Sequence, residues 1–83
     1  MKTLTDLSYI WNQSLVVMYL PEFSQWRAYF LYGYVHGDNT TERPFGWGKT
    51  PDEALKSYSK MIRGKSISFD AKQVYQVPET LIA

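Results

Sequence analysis

The chain has no cysteine and a single histidine among its 83 residues. Without cysteine there is no disulfide framework, no thiol nucleophile and no cysteine-rich zinc site. His36, in "HGD", cannot build a metal centre even with Asp38 beside it, because such a site needs three or four ligands. No metal and no cofactor is expected, and His36 reads as a solvent-facing residue at the start of a loop. No apolar run reaches the roughly 20 residues that cross a bilayer. The opening "MKTLTDLSYIWNQ" carries one Lys and no small-residue cleavage site. The expectation is a soluble, cytoplasmic protein without membrane contact, in which "NQS" and "NTT" are chance matches to the glycosylation pattern. Charge of one sign is scarce as well: nine Lys and Arg against eight Asp and Glu leave a net +1, which argues against general electrostatic capture of nucleic acid.

Apolar and aromatic residues are abundant. They make up 45% and 17% of the chain, with seven Tyr, four Phe and three Trp, so the chain folds and is not a disordered tail. At this length residues 1–83 form one domain with one modest core, burying roughly 60% of the surface of the unfolded chain. The charge is unevenly placed: seven basic side chains against three acidic ones give residues 43–72 a net +4, and residues 1–42 carry a net −2.

The run "QSLVVMYL", residues 13–20, is rich in β-branched and apolar residues and stops at Pro21, which predicts a strand ending in the turn "PEFSQ". "WRAYFLYGYV", residues 26–35, predicts a longer second strand paired with it in an antiparallel hairpin, and "HGDNTTERP" a polar loop. A short third strand around Phe45 and Trp47 follows, between Gly46 and Gly48, where the chain must bend or come close to something. Thr50 as N-cap, Pro51 at the first helical position and Glu53 completing a capping box then predict a helix, with Asp52 and Glu53 at the positive end of its dipole. Its apolar stripe is Ala54, Leu55, Tyr58, Met61 and Ile62, and Gly64 ends it. "KSISF" reads as a fourth strand and "QVYQVP" as a short extended tail. The first eleven residues stay open: Leu4, Leu7 and Trp11 suit a helical turn, Tyr9 with Trp11 an extended segment. The fold class expected is α+β, an antiparallel sheet of three to four strands with one helix packed on one face, in the order β-β-β-α-β.

The letters "GKT" at Gly48, Lys49 and Thr50 raise the question of a phosphate-binding loop. That loop needs a glycine five positions before Gly48, where this chain has Arg43, and Pro51 removes a further backbone donor. Glu22, Glu42, Asp70 and Glu79 share neither a helix face nor a motif that would pair them as acid and base. No catalytic residue is assigned, and the chain is expected not to be an enzyme.

Gly46, Gly48, Thr50, Glu53 and Ala54 form a G-x-G-x-[ST]-x-x-E-A string that resembles the start of the second helix of double-stranded RNA-binding domains. That family carries phosphate-contacting lysines at the two positions held here by Pro51 and Asp52, so the resemblance does not bring RNA binding with it. "GKTPDEAL" is also similar to the helix-opening string of HicB-type antitoxins, and residues 15–62 follow that domain's β-β-β-α order. The resemblance implies the β-β-β-α-β fold and a toxin-inhibiting role, although the family's segment before the third strand and its DNA-binding module have no counterpart here. The string from "GWGKTPDEAL" to "VPETL" further resembles small phage and prophage proteins of unknown function, the group from which anti-CRISPR and other anti-defence inhibitors come. That implies a host-cell cytoplasmic location for such a protein.

Strand alternation sends Trp26, Ala28, Phe30, Tyr32 and Tyr34 to one face of the second strand, and Arg27, Tyr29, Leu31, Gly33 and Val35 to the other. The first strand is apolar on both sides, yet one helix covers only one face of a sheet. The second face must meet the N-terminal segment with Leu7, Ile10 and Trp11, a second copy of the chain, or a protein target. The candidate protein-binding residues are Trp26, Arg27, Tyr29, Leu31, Tyr32 and Tyr34, of types that often dominate interfaces. The function expected is a protein-binding module, of the phage accessory kind that inhibits a host defence complex such as a CRISPR effector. The alternatives are the HicB-like toxin inhibitor and a nucleic-acid binder using the basic surface of Lys49, Lys56, Lys60, Arg63 and Lys65.

Overall fold

The structure, a computed structural model, describes residues 2–37, 39–70 and 73–82. It is an α+β fold with a helix packed on an antiparallel sheet, as expected, and it adds a second helix and a second sheet. The ambiguous N-terminus is helix α1, Leu4–Trp11. Thr3 Oγ1 accepts the Asp6 N–H at 3.1 Å and Asp6 Oδ2 accepts the Thr3 N–H at 2.9 Å, a reciprocal capping box that the sequence reading passed over. That backbone bond holds the Asp6 carboxyl below its usual range. Leu4, Leu7 and Trp11, spaced to share one face, are buried, and Tyr9 and Ile10 are exposed.

Strands β1 (Leu15–Leu20) and β2 (Gln25–Phe30) form the expected hairpin, joined by a 3-10 turn over Pro21–Phe23. The second strand does not run through to residue 35. Tyr32 takes a left-handed backbone at φ 62°, and the Gly33 N–H returns to the Phe30 carbonyl at 2.9 Å, so the chain turns out of the sheet. Strands β3 (Tyr34–His36) and β4 (Thr41–Glu42) belong to the second sheet, ordered β4-β3-β6-β7. The turn breaks the expected alternation after Phe30: Val35 is buried, and Tyr32 and Tyr34 are exposed. Strand β5 (Gly46–Gly48) returns to β2 and completes the first sheet, β1-β2-β5.

Helix α2, Pro51–Ile62, begins as its sequence predicts: Thr50 Oγ1 accepts the Glu53 N–H at 3.1 Å. The capping box does not close on Thr50, however, since Glu53 Oε2 takes the Lys49 N–H at 2.8 Å, one residue earlier. Ala54, Tyr58, Ser59 and Ile62 are buried, whereas Met61, placed on the apolar stripe by spacing, is exposed. Gly64, at φ 74°, follows the helix end. The chain closes with β6 (Ser66–Ser68) and β7 (Val74–Gln76), the strand within the segment read as an extended tail. Trp11, Phe30, Phe69 and Tyr75 form an aromatic cluster with ring centroids 4.9–6.0 Å apart that joins α1 and both sheets. Among the described residues no helix is long and apolar enough to cross a membrane.

Two contacts seat α2. A Cβ at Gly46 would fall on the Ala54 carbonyl and the Tyr58 N–H, and one at Gly48 on Glu53, so the glycines let the helix backbone approach β5 directly. Tyr58 Oη, fully buried, accepts the Phe30 N–H at 3.1 Å. β5 pairs only with Trp26 to Ala28, so this bond satisfies a β2 donor where the neighbouring strand has ended. Burial pushes the Tyr58 phenol up to about 12. Its folded value lies above the unfolded one, so its contribution is complete below about pH 10 and lost as pH rises through about 12. Tyr58→Phe leaves the Phe30 N–H unpaired and should cost roughly 1–3 kcal/mol in urea unfolding. It should also flatten the fall in stability on the alkaline side. Gly46→Ala should lower the midpoint further still, because the backbone on both sides must separate; equal midpoints in a thermal melt would contradict this seating.

Candidate functional site

The β1–β2 register pairs Val16 with Tyr29, Met18 with Arg27 and Leu20 with Gln25, and the β2–β5 register pairs Arg27 with Trp47. Paired residues share a face, so these side chains form one surface, and Leu15, Val17, Trp26, Ala28 and Phe30 form the other. Tyr58 and Trp11 both pack on the Phe30 ring, at 6.0 and 5.6 Å. Both helices therefore lie on the same side of the sheet. The N-terminal segment does not cover the second face, and Ile10, expected to help do so, is exposed. Val16, Met18, Leu20, Phe45 and Trp47 remain outside the core and only half-buried.

Arg27 occupies the centre of this outer face. Its guanidinium lies 4.5 Å from the Phe45 ring centroid, 5.0 Å from Tyr29 and 5.8 Å from Trp47, and Nη2 approaches Met18 Sδ at 3.6 Å. Tyr29 and Phe45 meet edge to face at 4.9 Å. The Arg27 Nε is sealed from solvent and has no hydrogen-bond partner. A second guanidinium, Arg43, lies 6.0 Å from Phe45 and 5.4 Å from Tyr34, which carries the surface toward the second sheet. At the other end Phe23 meets Trp47 edge to face at 5.6 Å, and with Gln25 they line a shallow recess of about 390 Å3. Among the described residues neither arginine is in an ion pair. The face thus offers stacked rings and two cations without a carboxylate of its own.

Of the protein-binding candidates, Arg27 and Tyr29 lie on this face and Tyr34 joins it through Arg43. Trp26 points to the helix side, against Tyr19 at 5.5 Å, and Leu31 and Tyr32 lie in the turn after β2. Met18, Phe45 and Trp47 were missed. The signal for Trp47 was present in "GWG": with both glycines turned to the helix, the residue between them must point the other way.

The basic candidates divide. Lys56, Lys60 and Arg63 line one groove of about 250 Å3 with Ser59 and Ile82, and Ser59, whose Oγ is buried without a partner, lies beneath them. Lys49 sits at the start of α2, outside that groove. Lys65 lies beyond the helix end and lines a wider recess of about 550 Å3 with His36, Glu42 and Gln76.

His36 lies at the end of β3 rather than in a loop, with Nε2 2.6 Å from Ser68 Oγ. A Ser–His pair suggests nucleophilic catalysis, but Ser68 is buried, and among the described residues no carboxylate is bonded to the imidazole to orient it. Asp38 lies outside the described residues. Among those described, no three His, Asp or Glu side chains converge as metal ligands. Glu22 lies in the 3-10 turn, Glu42 on β4, Asp70 in the bend after β6 and Glu79 in the turn after β7, and Asp70 Oδ1 accepts the Gln73 N–H at 3.0 Å. Compared with protein-family models, curated proteins and solved structures, the chain matches none of them.

Proposed function

We propose that the chain is a non-enzymatic binding module that holds a protein partner on the outer face of the β1-β2-β5 sheet. The observation that carries this reading is Arg27, a half-buried guanidinium stacked among three rings and, among the described residues, without a counter-ion. A charge withdrawn from water without an anion lowers stability, and a carboxylate brought by a partner would pair with it where the rings exclude solvent. The partner surface that fits is apolar with an acidic residue at its centre. The narrower readings, inhibition of a host defence complex such as a CRISPR effector or of a HicB-type toxin, rest on the sequence resemblances, and this face would be the contact in either.

The test is affinity capture from an extract of the organism that carries the gene, followed by titration of the captured protein. Arg27→Met keeps the side-chain volume and should leave the melting temperature near that of the wild type while weakening the partner by at least about tenfold, as hot-spot charge pairs do. Trp47→Ala should act in the same direction. If capture is unchanged in both variants, the partner is held elsewhere.

A second reading, capture of a nucleic-acid backbone, is favoured by the groove that gathers Lys56, Lys60 and Arg63. It requires binding that falls as salt rises and a Lys60→Glu variant that binds more weakly with a shallower salt slope. Absence of a shift at low salt in a gel assay would end that reading.

A further inference from the structure

Four strand edges close the two sheets, and β1 differs from the other three. β4 is two residues long and carries Glu42, and β5 and β7 are three residues each. β1 is six residues, "LVVMYL", with no charged side chain and no proline before Pro21. Its pairing with β2 is unbroken from Leu15↔Phe30 to Leu20↔Gln25, so no bulge twists the edge away. Charge, proline, bulges and shortness are the usual means of keeping a sheet edge from pairing with another strand, and β1 has none of them.

The hydrogen-bond parity shows which groups are free. The Leu31 N–H donates to the Ser14 carbonyl at 2.9 Å, which extends the β1–β2 register by one residue and makes that pair a bonded one. Bonded and non-bonded pairs alternate in an antiparallel ladder. Val16, Met18 and Leu20 therefore bond to β2, and Leu15, Val17 and Tyr19 turn their N–H and C=O groups outward. Among the described residues none of these groups has a hydrogen-bond partner.

We propose that β1 pairs antiparallel with β1 of a second copy of this chain, joining two three-stranded sheets into one of six strands. The occupant follows from self-complementarity. A two-fold axis at Val17 sets Val17 opposite Val17 and Leu15 opposite Tyr19, so every outward donor meets an outward acceptor. The strand carries no charge, so the copies bring no like charges together across the seam, and side chains on both of its faces are apolar. The pairing sets the two Arg27 faces side by side on one surface and uses no atom of either. It rests on the edge alone and is independent of the function proposed above.

The chain's lack of cysteine makes the test direct. Light scattering on the eluting peak over a concentration series should give twice the 9.7 kDa chain mass, with little dependence on salt. Tyr19→Pro removes an outward N–H and no bond to β2, so it should return the mass to that of one chain. A chain carrying both Val16→Cys and Met18→Cys should cross-link to its copy on mild oxidation, whereas Ser57→Cys, on α2, should not; positions 16 and 18 oppose each other across the seam as a non-bonded pair, whose Cα atoms, about 4.5 Å apart, and closer side chains suit a disulfide. A mass of one chain throughout the series overturns the proposal. So does a dimer in which the Val16→Cys, Met18→Cys chain forms no disulfide between copies, because the copies then meet elsewhere. Should Tyr19→Pro fail to fold, the cross-link decides.

Discussion

The seat of α2 on β5 and β2 is the constraint from which the rest of the molecule follows. Gly46 and Gly48 let the helix backbone come within contact of the strand, and Tyr58 reaches past the end of β5 to the Phe30 N–H. Because that donor is satisfied by a side chain, β2 needs no further neighbour at Phe30, and the chain is free to turn at Leu31 and build a separate sheet. The same close approach leaves no room for side chains on the helix side of β5. Trp47 must then face outward, and with it the outer face gains the largest ring in contact with Arg27.

The second sheet and α1 depend on that seat in turn. Phe30 is held between Tyr58 and Trp11, and Trp11 stacks on Tyr75 at 4.9 Å with 23° between the rings. One aromatic ring on β2 thus joins both helices, and through Phe69 the second sheet, into a single core. A core gathered so completely on one side of the first sheet leaves its other side to side chains that cover only one another.

How much of this was legible in the sequence depended on whether the determining contact was local. The α2 start was legible because Thr50, Pro51 and Glu53 act within one turn, and the hairpin because Pro21 and a short turn separate two apolar runs. The break at Tyr32 was not, because Leu31, Tyr32 and Val35 suit a strand by themselves, and the group that takes the ladder donor at Phe30 in place of a further strand is Tyr58, 28 residues beyond it. Met61 was placed on the buried stripe by spacing alone. The helix instead sinks a narrower face carrying Ser59, an orientation set by close approach at Ala54 and Tyr58 rather than by hydrophobicity. For the site, the apolar two-sided hairpin was readable as an incomplete surface. Which residues complete it was not, since Phe45 and Trp47 enter from a strand whose register on β2 no local rule gives.

The two faces of the first sheet obey different physics, and the difference bears on function. On the helix side the rings of the core pack on one another and the buried Tyr58 hydroxyl is paired with the Phe30 N–H. On the outer side Arg27 is stacked but not paired. Cation–π contact with desolvated rings returns on the order of 2 kcal/mol, whereas a guanidinium nitrogen hidden from water forgoes a hydrogen bond that charge would have strengthened. Leucine or methionine at that position would pack against Met18, Phe45 and Trp47 without that loss. On the reading proposed above, an anion from outside the chain would meet the remaining N–H groups of the guanidinium, and the rings around Arg27 would serve two ends: to hold the fork of donors in place beforehand and to keep water from competing with the anion.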